Sequence, residues 1–166
     1  RKEGVTFAVR AWCASSPPEA PPGLRPAGVA ARVLVGPEPV AVMPPDDLID
    51  SPEKPALRQM LEIFEQSGDP VIALLKVALS DISAYGVIRG ERDGGNPRLH
   101  LLKELVEKPR QEDAPSDLAI MGRYVLTPDI FDDLAKTAHD KSGEIQLTNG
   151  LRALSARRRL MGYEFL

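Results

Sequence analysis

Residues 105–134 read LVEKPRQEDAPSDLAIMGRYVLTPDIFDDL, and the rest of the chain can be organised around them. The apolar run from Leu99 to Val106 ends in Glu107-Lys108-Pro109: a carboxylate, an ammonium, and a proline that fixes the exit of the chain. A polar loop follows, after which Leu118-Ala119-Ile120-Met121 and then Arg123 to Leu126 read as another strand. Thr127-Pro128-Asp129 predicts a helix opening with a capping threonine and proline at the first helical position, carrying Ile130, Phe131 and Leu134 on one face.

Upstream, Ala84-Tyr85-Gly86-Val87-Ile88 reads as a strand interrupted by a glycine. Gly90 to Pro97 is a polar turn, which makes Leu99 to Val106 the hairpin partner of that strand. Val71 to Val77 predicts a buried strand. Before it, Ser51-Pro52 supplies a cap and a first-position proline for a helix whose Leu57, Met60, Leu61 and Phe64 recur at helical spacing and which ends near Gly68. Val40 to Met43 is continuously apolar and bounded by prolines, so a fully buried strand is expected there, after a turn at Gly36-Pro37-Glu38-Pro39. Val5 to Val9 is β-prone and Val29 to Val35 is apolar. Downstream, Gly143-Glu144 begins a helical segment through Leu147, Leu151 and Leu154, and Gly162 to Leu166 reads as the middle of a strand. Strands and helices alternate with an inserted hairpin, which defines an α/β class with a mixed sheet.

The 166 residues suffice for one domain, and 43% hydrophobic against 27% charged residues can support a core. A formal net charge of -3, with positive charge concentrated only at Arg157-Arg158-Arg159, argues against a general nucleic-acid binder. No uninterrupted apolar run approaches the roughly 20 residues that span a bilayer, and no export signal opens the chain. A single cysteine, Cys13, can form neither an internal disulfide nor a structural zinc cluster, which suits a reducing cytoplasm. The sequence starts at Arg1 rather than Met and ends within a strand pattern, so a fragment of a longer protein is expected. Of the 16 prolines, Pro17, Pro18, Pro21, Pro22 and Pro26 crowd one segment that can hold neither a regular helix nor an inner strand.

Three constellations could carry chemistry. Pro44-Pro45-Asp46-Asp47 places adjacent carboxylates just after an apolar strand, where ligands collect in open α/β sheets; one of the pair, Asp46, can face a pocket and hold Mg²⁺. A solvated turn explains the same residues. Glu107-Lys108 pairs a carboxylate able to accept two sugar hydroxyls with a point charge suited to a phosphate, which fits a sugar phosphate. An ordinary surface ion pair is the alternative. At Gly86 a missing side chain would let a ligand approach the backbone, and a β-bulge accounts for the glycine equally well. His100 and His139 have no second histidine or cysteine at ligand spacing and read as structural or surface residues. No Walker-type phosphate loop is present.

Four stretches, VGPEPVAVMPPDDLID (35–50), AYGVI (84–88), residues 105–134 and GEIQLTNGLRAL (143–154), resemble in order and spacing the bacterial UTP:glucose-1-phosphate uridylyltransferases, a branch of the sugar-nucleotide pyrophosphorylases. The resemblance runs from about Gly23 to the end. It implies a single partial nucleotidyltransferase domain over residues 1–166, with residues 14–26 as a divergent proline-rich segment. The implied fold is Rossmann-like, of the glycosyltransferase-A type, with a mixed and mainly parallel sheet that is incomplete.

The implied reaction is Mg²⁺-dependent formation of UDP-glucose and pyrophosphate from UTP and glucose 1-phosphate, in an enzyme that is a homo-oligomer when intact. Position by position, the resemblance makes Asp46 the magnesium ligand and Gly86 the glycine whose backbone meets the sugar. Glu107 becomes the residue gripping glucose hydroxyls, and Lys108 the catalytic lysine on the sugar phosphate. The family's glycine-rich nucleotide loop has no counterpart here. Arg10-Ala11 and Gly23-Leu24-Arg25-Pro26-Ala27 replace its base-recognition residues, and a second metal-binding aspartate would follow Phe165. Two other readings stay open: a nucleotidyltransferase of the same fold with another base preference, and a non-catalytic remnant that binds sugar phosphate or a homologue.

Overall fold

A computed structural model of the chain describes residues 32, 35–44, 49–50, 54–137 and 147–165. Its centre is β2 (Val71–Lys76), whose first four residues are completely buried. β5 (Leu118–Leu126) pairs with it antiparallel on one side and β6 (Met161–Glu164) parallel on the other. Outward from β6 come β4 (Leu99–Glu107) and then β3 (Gly86–Arg92), the two arms of a hairpin. β1 (Val40–Val42) lies against the far end of β5. β3 also touches the start of β5, Val87 opposite Ala119, so the pairings β5–β2–β6–β4–β3–β5 close into a circuit.

Alternation along β2 explains the layering. Val71 and Ala73 face α1 (Ala56–Ser67), in a cluster with Met60, Ala119, Met121, Val125, Met161 and Phe165. Ile72 and Leu74 face the other way, toward α2 (Ile130–Lys136) and α3 (Leu147–Ser155), where Ile130, Leu134, Leu151 and Leu154 complete the core. A strand covered by helices on both faces has no polar side, which is why its sequence is continuously apolar. Gly150 lets α3 settle onto α2: a Cβ there would lie 2.5 Å from Leu134 Cδ2.

The α/β class and the mixed sheet match expectation, and the expected hairpin and the helix ending at Gly68 are present. A mainly parallel sheet is not what the described residues form: β2–β6 is their single parallel pair, because the hairpin and the β2–β5 and β4–β6 neighbours all run antiparallel. Val40–Met43 is not a fully buried strand. Val40 and Val42 pack against the core while Ala41 is exposed and Met43 is 55% exposed. Among the described residues the short strand pairs with β5 only, which makes it an edge strand there, and the exposed Ala41 marks the face that meets solvent.

The helix of residues 56–67 begins after Pro55, whose carbonyl accepts from the Gln59 N–H at 3.2 Å; the expected cap at 51–53 lies outside the described residues. β3 starts at Gly86, after a 3₁₀ turn over Leu79–Ala84, and continues through Gly90 to Arg92 with a register shift between Arg89 and Gly90. β5 is one strand, irregular at Gly122 and Arg123. Thr127 does not cap α2 with its side chain: its hydroxyl donates to Asp129, and the first turn is closed by Ile130 N–H to Thr127 O at 3.1 Å. The stretches 1–31, 138–146 and residue 166, with the expected Val5–Val9 strand, His139 and Gly143-Glu144, lie outside the described residues.

The arginine triplet is engaged in holding helices and loops together. Arg157 pairs with Asp133 at 2.5 Å, Arg158 with Asp129 at 3.4 Å and Arg159 with Asp69 at 3.5 Å. Burial alone would raise the Asp129 carboxyl, but the Thr127 hydroxyl and the Arg158 guanidinium outweigh it and hold that group below its ordinary range.

Candidate active site

The hairpin register sets Gly86, the first residue of β3, directly opposite Glu107, the last residue of β4. A Cβ built on Gly86 would lie 3.2 Å from Glu107 Oε2, 3.3 Å from Ile120 Cδ1 and 3.3 Å from Thr148 Oγ1. A carboxylate, an aliphatic side chain and a hydroxyl from three different elements therefore converge over one bare stretch of backbone. Of the two explanations for the glycine, the bulge is excluded at this position, since the register shift of the hairpin falls at Arg89/Gly90.

Lys108 follows at once. Its φ of 43° makes it the one non-glycine residue with positive φ among the described residues, in a region costing roughly 1–2 kcal/mol for an L-residue. Its N–H donates to Tyr85 O at 3.0 Å, which extends the hairpin ladder one step past the strand and locks the reversal. Lys108 thereby leaves the alternation of β4 and stays exposed, with Pro109 buried behind it. Among the described residues no ion pair joins Glu107 to Lys108.

α3 forms the wall of this corner. Arg152 donates from Nε and Nη2 to Leu105 O at 3.1 and 2.8 Å, fixing the helix to β4 two residues before Glu107. One turn earlier on the same helix, Thr148 is 8% exposed and reaches the Gly86–Glu107 corner. Thr148 and Arg152 were not singled out from sequence. The available signal was a threonine at the helical position beside Leu147 and Leu151, inside an otherwise apolar stripe.

The structure thus brings Gly86, Glu107 and Lys108 together and adds Ile120, Thr148 and Arg152. Asp46 lies outside the described residues, and among the described residues no three or more His, Cys, Asp or Glu side chains group as a metal site. His100 is a buried structural residue: its Nε2 is 3.0 Å from Glu164 Oε2, while Lys76 Nζ stands 3.5 Å from Glu164 Oε1 and Arg98 Nε donates to the Glu164 carbonyl at 2.8 Å. Burial would raise the Glu164 carboxyl, but His100 and Lys76 outweigh it and hold it below the ordinary carboxylate value.

A helix-covered mixed sheet with a carboxylate, a hydroxyl and a lysine gathered at a hairpin end is an α/β domain with a polar corner at its sheet end. Residues 2–165 match the family described as Nucleotidyl transferase, and the chain belongs to that family. It is 43% identical over 143 residues to UTP–glucose-1-phosphate uridylyltransferase 2 of Staphylococcus saprophyticus, covering 86% of this chain and 48% of that protein. The crystal structure of apo-UDP-glucose pyrophosphorylase superposes with a TM-score of 0.81 at 44% identity over 86% of this chain and 52% of the other. UDP-glucose pyrophosphorylase complexed with UDP-glucose gives 0.81 at 43% identity, over 87% and 54%. The chain spans about half the length of the curated relatives it matches.

Proposed function

We propose that the chain carries the sugar-phosphate half of a UTP:glucose-1-phosphate uridylyltransferase, which forms UDP-glucose and pyrophosphate. The observation that carries this reading is the convergence of Glu107 Oε2 and Thr148 Oγ1 over Gly86, with Lys108 held next to them. Its support from outside the chain is the likeness to proteins named for that activity and to one in complex with UDP-glucose.

The proposed roles follow from the chemistry of each group. The Glu107 carboxylate accepts hydrogen bonds from glucose hydroxyls, which are stronger for the acceptor's charge. The absent side chain at Gly86 lets the ring lie against backbone, and Ile120 offers it an apolar contact. The Lys108 ammonium binds the sugar phosphate as a point charge, fixed where it stands by the strained backbone. In the proposed reaction an oxygen of that phosphate attacks the α-phosphorus of UTP in line, a new P–O bond forms, and the bond to the β-phosphate breaks with release of pyrophosphate. The protein positions the reactants and balances charge, and no covalent enzyme intermediate is required.

Asp46 is the proposed Mg²⁺ ligand, since a carboxylate is the hard oxygen donor this cation takes. Bound there, the cation would neutralise nucleotide phosphate charge. The proposed setting is the cytoplasm, with self-association of the intact protein; no helix among the described residues is long and apolar enough to cross a membrane.

The test is pyrophosphate release from UTP and glucose 1-phosphate with Mg²⁺, beside Lys108→Ala and Asp46→Ala. Turnover abolished in both variants supports the full reading. Binding of glucose 1-phosphate without turnover or UTP binding would instead favour a non-catalytic sugar-phosphate binder. Turnover only with a different nucleoside triphosphate would correct the base.

A further inference from the structure

We infer that Thr148 is a specificity-determining residue of the sugar subsite, its hydroxyl supplying the hexose ring with a neutral hydrogen-bonding partner beside the charged Glu107. This rests on the sugar-phosphate reading above. Two observations carry it.

Thr148 is buried, at 8% exposure, on the wall of the corner. Its Oγ1 stands 3.3 Å from the point where a Gly86 Cβ would be, and that point is 3.2 Å from Glu107 Oε2. A hydroxyl placed there can both donate to and accept from a polar group that occupies the corner.

The position of the hydroxyl is also fixed. Thr148 and Arg152 lie one turn apart on α3, and Arg152 holds that helix to Leu105 O by two hydrogen bonds, while Gly150 brings it down on Leu134. Such a held hydroxyl can discriminate among ring hydroxyls. A carboxylate with two acceptor oxygens can accept from many arrangements of vicinal hydroxyls, whereas a single hydroxyl of fixed position adds a directional requirement.

The experiment is calorimetric titration of the 166-residue chain with glucose 1-phosphate, for the parent, Thr148→Val and Thr148→Ser. The valine variant keeps the shape and removes the hydrogen bond. It should bind about 3- to 10-fold more weakly, the effect of one neutral hydrogen bond, while the serine variant stays near the parent. Repeating the titration with singly deoxygenated glucose 1-phosphates locates the contact: the parent should lose a similar factor for one deoxy analogue, and Thr148→Val should lose nothing further for that analogue. Equal affinity of parent and Thr148→Val, or losses that simply multiply for every analogue, would overturn the inference and leave the proposed function standing. If the valine variant shows no cooperative thermal transition, the deoxy series on Thr148→Ser and Thr148→Ala decides by the same criterion. A parent chain that binds no glucose 1-phosphate would overturn both.

Discussion

Arg152 grips the carbonyl of Leu105 with two hydrogen bonds, 3.1 and 2.8 Å long, and thereby ties the helix bearing Thr148 to the strand that ends in Glu107. Two walls of the corner are thus set relative to each other by one side chain of the helix reaching the backbone of the strand. Arg152→Ala should weaken glucose 1-phosphate binding and cost about 1.5–3 kcal/mol of stability, the range for a hydrogen bond to a charged group. Arg152→Lys can restore one bond and should recover part of both. Titration and thermal unfolding of the two variants check this.

Gly86→Ala tests the corner by filling it. The new methyl would stand 3.2–3.3 Å from Glu107 Oε2, Ile120 Cδ1 and Thr148 Oγ1, close enough that each must give by a few tenths of an ångström. The expected stability cost is about 1 kcal/mol, at the low end for overpacking, with a much larger loss of glucose 1-phosphate affinity. A variant that binds the ligand as the parent does would remove Gly86 from the site.

Lys108 separates strain from function. Lys108→Gly accepts φ near 43° without penalty, so it should unfold within about 1 kcal/mol of the parent, on the stabilising side, because the relief exceeds the extra chain entropy. Binding of the sugar phosphate should fall as far as in Lys108→Ala, since both lose the charge. A Lys108→Gly protein clearly less stable than the parent would show that the backbone there is not strained.

Glu164 predicts an acid limb in the stability profile. His100 and Lys76 keep its carboxyl below 4.5 in the folded chain, with Arg98 bonded to its carbonyl. A depressed carboxyl stabilises the fold fully above its unfolded value and loses that contribution as pH falls through the folded value. Unfolding temperatures measured downward from neutral pH should therefore drop below about pH 4.5, and Glu164→Gln should flatten that drop while lowering stability at neutral pH.

Much of this site is visible in the sequence where the chemistry is local. A carboxylate, a lysine and a proline at the end of an apolar run mark a strand exit, and a glycine opening the paired strand marks a bare backbone; the hairpin that brings Gly86 opposite Glu107 is short-range. Thr148 and Arg152 act through the crossing of α3 over β4, which no local pattern encodes. The same holds for β1: the apolar residues Val40 to Met43 look alike whether one face or both are covered, and only the neighbours decide. Strand direction is likewise illegible in the run itself: among the described residues only β2–β6 is parallel, and a buried apolar run shows that both faces of a strand are covered, not the direction of the strand beside it.

The closed circuit of strand pairings has a kinetic meaning. β3 and β4 meet across a tight turn and can pair early, so Gly86 and Glu107 find one another by local search. β6 is different: its partners β2 and β4 both precede it by long stretches of chain, and it is the strand that joins β2 to the hairpin. Contacts that far apart carry the largest loop-closure cost and are slow to form. As the chain leaves the ribosome, the Gly86–Glu107 end of the corner is laid down first, and the hydroxyl and arginine of α3 arrive with the segment that closes the ring. Assembly of the Gly86–Glu107–Thr148 corner and closure of the circuit of strand pairings then fall together, late.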